Sequence, residues 1–166
     1  MIFLSEILQS NHLKKEFDCG NLSLNNYLQK QAGQDFKRKL SVTYVITDKS
    51  YFIKGYYTLS NNSLPLDNIP EKLRKKLPKS YQKIPTILIG RLAVDLKHQN
   101  KGIGKLLLID ALKRCFLLSK SLGTFAIIVD PLDDDAVNFY LKHGFILLPD
   151  SEKMFIPMKT IDLLFK

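Results

Sequence analysis

A chain of 166 residues, 45% hydrophobic and 25% charged, has the size and balance of one globular domain, residues 1–166, with a sizeable buried core. No apolar run approaches the roughly 18 residues that span a bilayer, and Met1-Ile2-Phe3-Leu4 runs straight into Ser5-Glu6, so neither a membrane helix nor a signal peptide is expected and the default location is the cytoplasm. The net charge of +9 favours polyanionic partners without separating RNA, DNA and membrane, and two distant cysteines, Cys19 and Cys115, outside any CxxC or Cys/His pattern, argue against a zinc site or a structural disulfide.

Residues 2–7 alternate weakly and suit a short first strand. Phe17-Asp18-Cys19-Gly20 reads as a turn. Asn21 or Ser23 can cap a helix through about residue 35, in which Leu24, Tyr27, Leu28 and Gln31 fall at helical spacing. Residues 42–47 and 51–59 are rich in β-branched and aromatic side chains, and Asp48-Lys49-Ser50 between them makes the pair an antiparallel hairpin. Residues 60–85 hold four of the seven prolines, which points to an insertion, with one short helix near 70–76. Residues 84–95 give a central strand and about 102–121 a long helix, ended by Gly123 at the C′ position. The nearly continuous apolar run 124–130 reads as a strand covered on both faces. Asp133, Asp134 and Asp135 open a second helix, where the dipole favours carboxylates. Gly144 ends that helix, and 145–148 and 154–158 are two last strands. The order β-α-β-β-insert-β-α-β-α-β-β describes one α/β (α+β) domain with a mixed sheet.

The most telling segment is the strand Ile87-Leu88-Ile89-Gly90-Arg91-Leu92-Ala93-Val94-Asp95, which leads through Gln99-Asn100-Lys101-Gly102-Ile103-Gly104 into the long helix. Amides of a helix's first turn are unpaired and sit at the positive dipole end, and glycines let an anion reach the backbone. Two nucleotide motifs fail here. The Walker pattern needs Gly at 99 and Ser or Thr after Lys105, but those positions hold Gln99 and Leu106. The dinucleotide fingerprint needs a third glycine where Leu107 stands.

What remains, Gln-x-x-Gly-x-Gly after Arg-Leu-Ala-Val-Asp, resembles motif A of the GNAT superfamily of acyl-CoA-dependent N-acyltransferases. The downstream run Ala136-Val137-Asn138-Phe139-Tyr140-Leu141-Lys142-His143-Gly144-Phe145 resembles the family's motif B. The resemblance covers most of the chain. It implies the GNAT fold: a central mixed, mostly antiparallel sheet flanked by helices, splayed at 84–95 and 124–130. It also implies acetyl-CoA as cofactor. Leu92, Ala93 and Val94 would line the pantetheine arm; Gln99, Asn100, Lys101, Gly102, Ile103, Gly104 and Lys105 would hold the pyrophosphate; Asn138 would contact the arm; and Tyr140 would point at the sulfur as the acid. Without the family match, Tyr140 reads as a core aromatic. His143 reads as structural, and no metal site is expected.

No residue announces itself as a general base, although Asp95 and His98 are available. A lysine amine, with a pKa of about 10.4, needs a base, whereas an α-amine starts near about 8 and an adjacent ester lowers it further. Aminoacyl-tRNA carries such an amine beside a polyanion. The cationic clusters Lys37-Arg38-Lys39 and Arg74-Lys75-Lys76, together with Arg91, are the candidate tRNA-facing residues. Phe17-Asp18-Cys19-Gly20, Ser41-Val42-Thr43-Tyr44-Val45 and Gly55-Tyr56-Tyr57-Thr58-Leu59-Ser60 look like the GNAT toxins of bacterial type II toxin–antitoxin modules. That resemblance implies acetylation of charged tRNA, inhibition of translation, a ribbon-helix-helix antitoxin and possible homodimers. One departure is Asp130-Pro131-Leu132-Asp133, where the family pattern has Asp-Ala-x-Asp; proline stiffens the turn without removing the site. Two alternatives stay open: the same chemistry on a small-molecule or protein amine, and an inactive GNAT-like module that binds nucleic acid or a partner.

Overall fold

The computed structural model describes residues 2–166. The strands are β1 (Glu6–Ile7), β2 (Val42–Thr47), β3 (Ile53–Pro65), β4 (Lys83–Val94), β5 (Ala126–Val129), β6 (Ile146–Leu147) and β7 (Met154–Pro157). The helices are α1 (Leu22–Asn26), α2 (Ala32–Lys37), α3 (Glu71–Arg74), α4 (Ile103–Leu118), α5 (Asp134–Lys142) and α6 (Met158–Phe165). The strands form one seven-stranded sheet in the order β1-β2-β3-β4-β5-β7-β6. The pairs β1–β2, β2–β3, β5–β7 and β6–β7 are antiparallel, so the expected mixed α/β architecture with a mostly antiparallel sheet is what the chain adopts.

By contact the chain divides into two compact units, Met1–Ser60 with Ile89–Arg114, and Asn61–Leu88 with Cys115–Lys166. The core of the first unit gathers Phe17, Tyr27, Leu28, Ala32, Val45, Ile53, Tyr56 and Ala93. Within it, Gly55 admits a close approach. A Cβ there would stand 2.8 Å from Leu107 Cδ1 and 3.0 Å from the Ala93 carbonyl, so only a bare Cα lets α4 settle against this part of the sheet. The core of the second unit gathers Leu64, Ile69, Ile84, Ala126, Ile128, Leu148 and Phe155. All four residues of β5 are buried, as its apolar run requires.

Several boundaries differ from the sequence expectation. The first strand shrinks from 2–7 to Glu6–Ile7, because Leu4 and Ser5 spend their polar groups on a side-chain network. The helix expected from 21 to 35 runs on to Lys37 but is broken by a π-helical turn at Tyr27–Gln31, and Asn21 is its cap, accepting from the Leu24 amide. β3 extends to Pro65, into the expected insertion, and the short helix covers only Glu71–Arg74. α4 stops at Leu118. Gly123 is not a left-handed C′ residue, since the positive-φ glycines are Gly20, Gly102 and Gly144. Gly144 does close α5, with φ +94°. α6 was not anticipated. It buries Met158 and Ile161, three residues apart, and sets the Phe165 ring 5.6 Å from Phe116.

The network at the start of the chain belongs to the first unit. Asp110, only 2% exposed, accepts hydrogen bonds from the Leu4 amide (2.7 Å), the Tyr57 hydroxyl (2.8 Å) and the Ser5 hydroxyl. Arg114 donates to Tyr57 Oη and to the Ser5 carbonyl, and its guanidinium lies 4.0 Å from the ring centres of both Phe3 and Tyr44. Removing the carboxylate strands a buried set of donors and a cation. Asp110→Ala is therefore expected to lower unfolding free energy by about 3–5 kcal/mol in urea titration, and a loss below about 1 kcal/mol would show that the network contributes little.

Candidate functional site

β4 ends at Val94, and the chain turns through Asp95, whose Oδ1 accepts the Lys97 amide at 2.9 Å and so caps a 3-10 turn at Leu96–His98. Asn100 (φ +61°) and Gly102 (φ +81°) are both left-handed. A left-handed residue next to a right-handed one can turn successive amides toward a shared anion. The first hydrogen bond of α4 runs from the Leu106 amide to the Gly102 carbonyl at 3.1 Å. The amides of Ile103, Gly104 and Lys105 therefore precede the helical ladder, at the positive end of a 16-residue helix. A Cβ on Gly102 would meet nothing within 4 Å, so the loop presents open space beside its backbone. These features fit a coenzyme A pyrophosphate.

The side chains of the segment are used unequally. Ala93 faces the core, which leaves only its peptide group for a ligand, while Leu92 and Val94 are half-buried. Gln99 Nε2 donates to the Val94 carbonyl (2.9 Å) and the Cys19 carbonyl (3.1 Å). Both amide hydrogens are thereby occupied, and any phosphate contact at Gln99 falls to its backbone. Lys101 Nζ reaches the Lys97 carbonyl at 3.0 Å and braces the loop. Asn100, Gly102 and Lys105 are exposed.

Arg91, one residue before Leu92, lies with its guanidinium 3.4 Å from the centre of the Tyr27 ring. Tyr27 donates to Asp35 Oδ2 at 2.8 Å. Burial, then the hydrogen bond to Asp35, pushes the Tyr27 phenol up. The π-helical turn at Tyr27–Gln31 gives this ring its placement, and such turns recur at functional sites. Tyr27 and Asp35 were not singled out from the sequence. A π turn leaves no clear trace in a helical apolar pattern. Lys37, Arg38 and Lys39 follow at the exposed end of α2.

In the second unit, Asp133 caps α5 by accepting the Ala136 amide at 2.8 Å. α5 presents Asn138 exposed and Tyr140 buried, with 7% exposure. The Tyr140 ring makes edge contacts with Phe139 and Phe145, both at 5.2 Å. Burial alone pushes its phenol above the ordinary value, so it stays protonated, a donor rather than a base, through the physiological range. His143 is structural: its Nδ1 bonds the Phe139 carbonyl at 2.7 Å. Arg74 donates to the Asp67 carbonyl at 3.3 Å, Lys75 lies 3.4 Å from Glu71, and Lys76 is exposed. Among the described residues no group of three or more His, Cys, Asp or Glu is placed to hold a metal, and no helix is long and apolar enough to cross a membrane.

The acetyltransferase (GNAT) domain family matches residues 72–147. A tRNA-acetylating toxin of Mycobacterium tuberculosis is 36% identical over 133 residues, covering 80% of this chain and 78% of that protein. The solved structure of AtaT complexed with acetyl-methionyl-tRNAfMet is similar with a TM-score of 0.89 at 31% identity, covering 98% of each chain. A tyrosine-to-phenylalanine variant of AtaT, bound to the C-terminus of the antitoxin AtaR and acetyl-CoA, is similar with a TM-score of 0.81 at 26% identity, covering 98% of this chain and 97% of that one.

Proposed function

The chain belongs to the GNAT acetyltransferase toxins of bacterial toxin–antitoxin systems, and from that premise we propose that it acetylates the α-amine of aminoacyl-tRNA and so inhibits translation. The observation that carries the reading is the Asn100–Gly102 cradle leading into the open first turn of α4. It suits the pyrophosphate of acetyl-CoA, and relatives of the same fold are solved with acetyl-CoA and with an acetylated aminoacyl-tRNA. Acetyl-CoA supplies an activated acetyl thioester when bound.

The residues divide the work. The amides from Gln99 to Lys105 would hold the pyrophosphate, with Lys105 as a flanking cation. The peptide groups of Leu92, Ala93 and Val94 would hold the pantetheine arm, with the Val94 amide as the donor available to the thioester oxygen, and the family resemblance assigns Asn138 to the same arm. Attack by the neutral amine would form the new C–N bond at the expense of the thioester C–S bond. The amine's surplus proton leaves to water, and Tyr140 donates its hydroxyl hydrogen toward the departing sulfur. Full proton transfer from a phenol, pKa about 10, to a thiolate, about 8.5, is uphill, and the burial of Tyr140 steepens the gap, so its contribution is chiefly a donated hydrogen bond. An α-amine near about 8 is partly neutral at physiological pH, which dispenses with a strong base.

Lys37, Arg38, Lys39, Arg74, Lys75 and Lys76 serve the tRNA, and Arg91, stacked on Tyr27, is the least available of the candidate cations. On this reading the protein acts in the cytoplasm as one catalytic domain over 1–166 and is neutralised by a ribbon-helix-helix antitoxin, in keeping with the relatives solved bound to an antitoxin. The deciding experiment incubates the protein with labelled acetyl-CoA and total charged tRNA. Label should enter tRNA and leave with the amino acid in mild base. Label on free amines or on protein instead would move the assignment to those acceptors.

Reversing charge at Arg74, Lys75 and Lys76 tests the tRNA surface. Arg74 is held by one exposed backbone carbonyl and Lys75 by an exposed ion pair worth little, and Lys76 is exposed, so all three are available to phosphates. The triple Glu variant is expected to weaken tRNA binding and flatten the log–log salt slope by roughly 2–3, near one unit per lost phosphate contact. Overlaying salt titrations for variant and wild type would remove this segment from the interface.

A further inference from the structure

We propose that the Phe17–Gly20 turn is a positioning device for the phosphate-binding loop and that the Gln99 side chain is the coupling between them. This rests on the assignment of that loop to coenzyme A. Three hydrogen bonds strap the turn to the chain after β4. The Leu96 amide donates to the Asp18 carbonyl at 2.8 Å, the Asp18 amide donates to Asp95 Oδ2 at 3.1 Å, and Gln99 Nε2 donates to the Cys19 carbonyl at 3.1 Å while its other hydrogen holds the Val94 carbonyl. Gln99 thus ties together the end of β4, the start of the cradle and a turn 80 residues away in sequence.

The turn is itself held from two sides. Phe17 is buried with its ring edge-on to Tyr56 at 5.6 Å. Asp18 Oδ1 accepts the Gly20 amide and Asn25 Nδ2, each at 2.9 Å, and Asn25 Oδ1 accepts the Cys19 amide at 2.8 Å. The Gly20 amide, with Asn25, keeps the Asp18 carboxyl below its usual range, so it stays an acceptor. Gly20 is left-handed, and a Cβ on it would press on Leu96 at 3.4 Å.

The cradle itself has few ties of its own. Asn100 and Gly102 are exposed and hold conformations that an untethered loop would populate only part of the time. A loop that must be ordered on binding loses affinity by the free energy of ordering. The strap orders it beforehand, and it does so from α1, which carries Asn25 and no part of the cofactor loop.

The test compares wild type, Asn25→Ala, Gln99→Met and the double variant by calorimetry with coenzyme A and by steady-state kinetics, with melting midpoints measured alongside. Each single variant is expected to weaken coenzyme A and raise the KM for acetyl-CoA roughly 5–10-fold, the equivalent of about one hydrogen bond, with kcat within about twofold. The double variant should lose no more than about the larger single effect, because both changes cut the same strap. Affinities within about twofold of wild type in both single variants, or losses that multiply in the double variant, overturn the proposal; lowered melting midpoints with unchanged affinity make the strap structural only and also overturn it. If Gln99→Met fails to fold, Asn25→Ala decides alone. Wild type that binds no coenzyme A would sink the functional assignment itself, an outcome distinct from unchanged variants.

Discussion

Tyr140→Phe lowers turnover on charged tRNA by roughly 100-fold or more, the scale of a positioned proton donor, while coenzyme A affinity stays within about twofold. The substitution removes one hydroxyl and keeps the ring between Phe139 and Phe145, so packing is conserved and the loss reports the donor. The pH dependence separates this role from that of a base. Burial raises the Tyr140 phenol, so it is protonated at every pH up to and beyond its ordinary value of about 10, and its titration gives no limb in a profile recorded between pH 6 and 9. The rise in kcat/KM with pH over that range then belongs to the acceptor amine. It should survive unchanged in the Phe variant at a lower absolute rate. Full turnover by purified Tyr140→Phe protein would remove this residue from the chemistry.

Gly102→Glu abolishes coenzyme A binding, with an expected loss of at least about 100-fold in affinity, whereas Gly102→Ala loses only about tenfold. The structure separates the causes. A Cβ at this position meets no protein atom within 4 Å, so no steric clash within the chain contributes. Both variants bear the strain of a φ of +81°, about 1–2 kcal/mol for a residue with a Cβ. Only Glu adds a carboxylate in the space left for a phosphate, beside amides that favour a negative charge. The carboxylate satisfies those amides itself, so the folded protein should be nearly as stable as the Ala variant while the ligand is excluded. Calorimetry showing equal affinities for Ala and Glu would mean that strain, not anion exclusion, governs the position.

The backbone shape of the loop at 99–105 was legible in the sequence because it is set locally. A strand, two glycines and a helix start lie within about twenty consecutive residues, and backbone conformation there follows from residue type. The caps at Asn21 and Asp133 and the stop at Gly144 were legible for the same reason. Gly123 misled, since a glycine after a helix marks an end only when it adopts a left-handed conformation, and the helix had already ended five residues earlier. The last helix escaped notice because Met158 and Ile161 extend the apolar run of β7, where strand and helix patterns cannot be told apart over so short a stretch.

What the sequence by itself determined is the set of parts on offer: a glycine-bearing loop before α4, a tyrosine on α5, a basic chain and the family to which it belongs. What only the tertiary structure decided is how those groups are employed. Arg91 is stacked on Tyr27 rather than free, the Gln99 side chain is committed to two carbonyls rather than to a phosphate, and Asp110 anchors the first residues of the chain from 106 positions away. The reason is physical. Propensity, capping and loop conformation act between neighbours in the chain, so residue order alone reveals them. Which donor meets which acceptor across 50 to 100 residues depends on packing that no local pattern records.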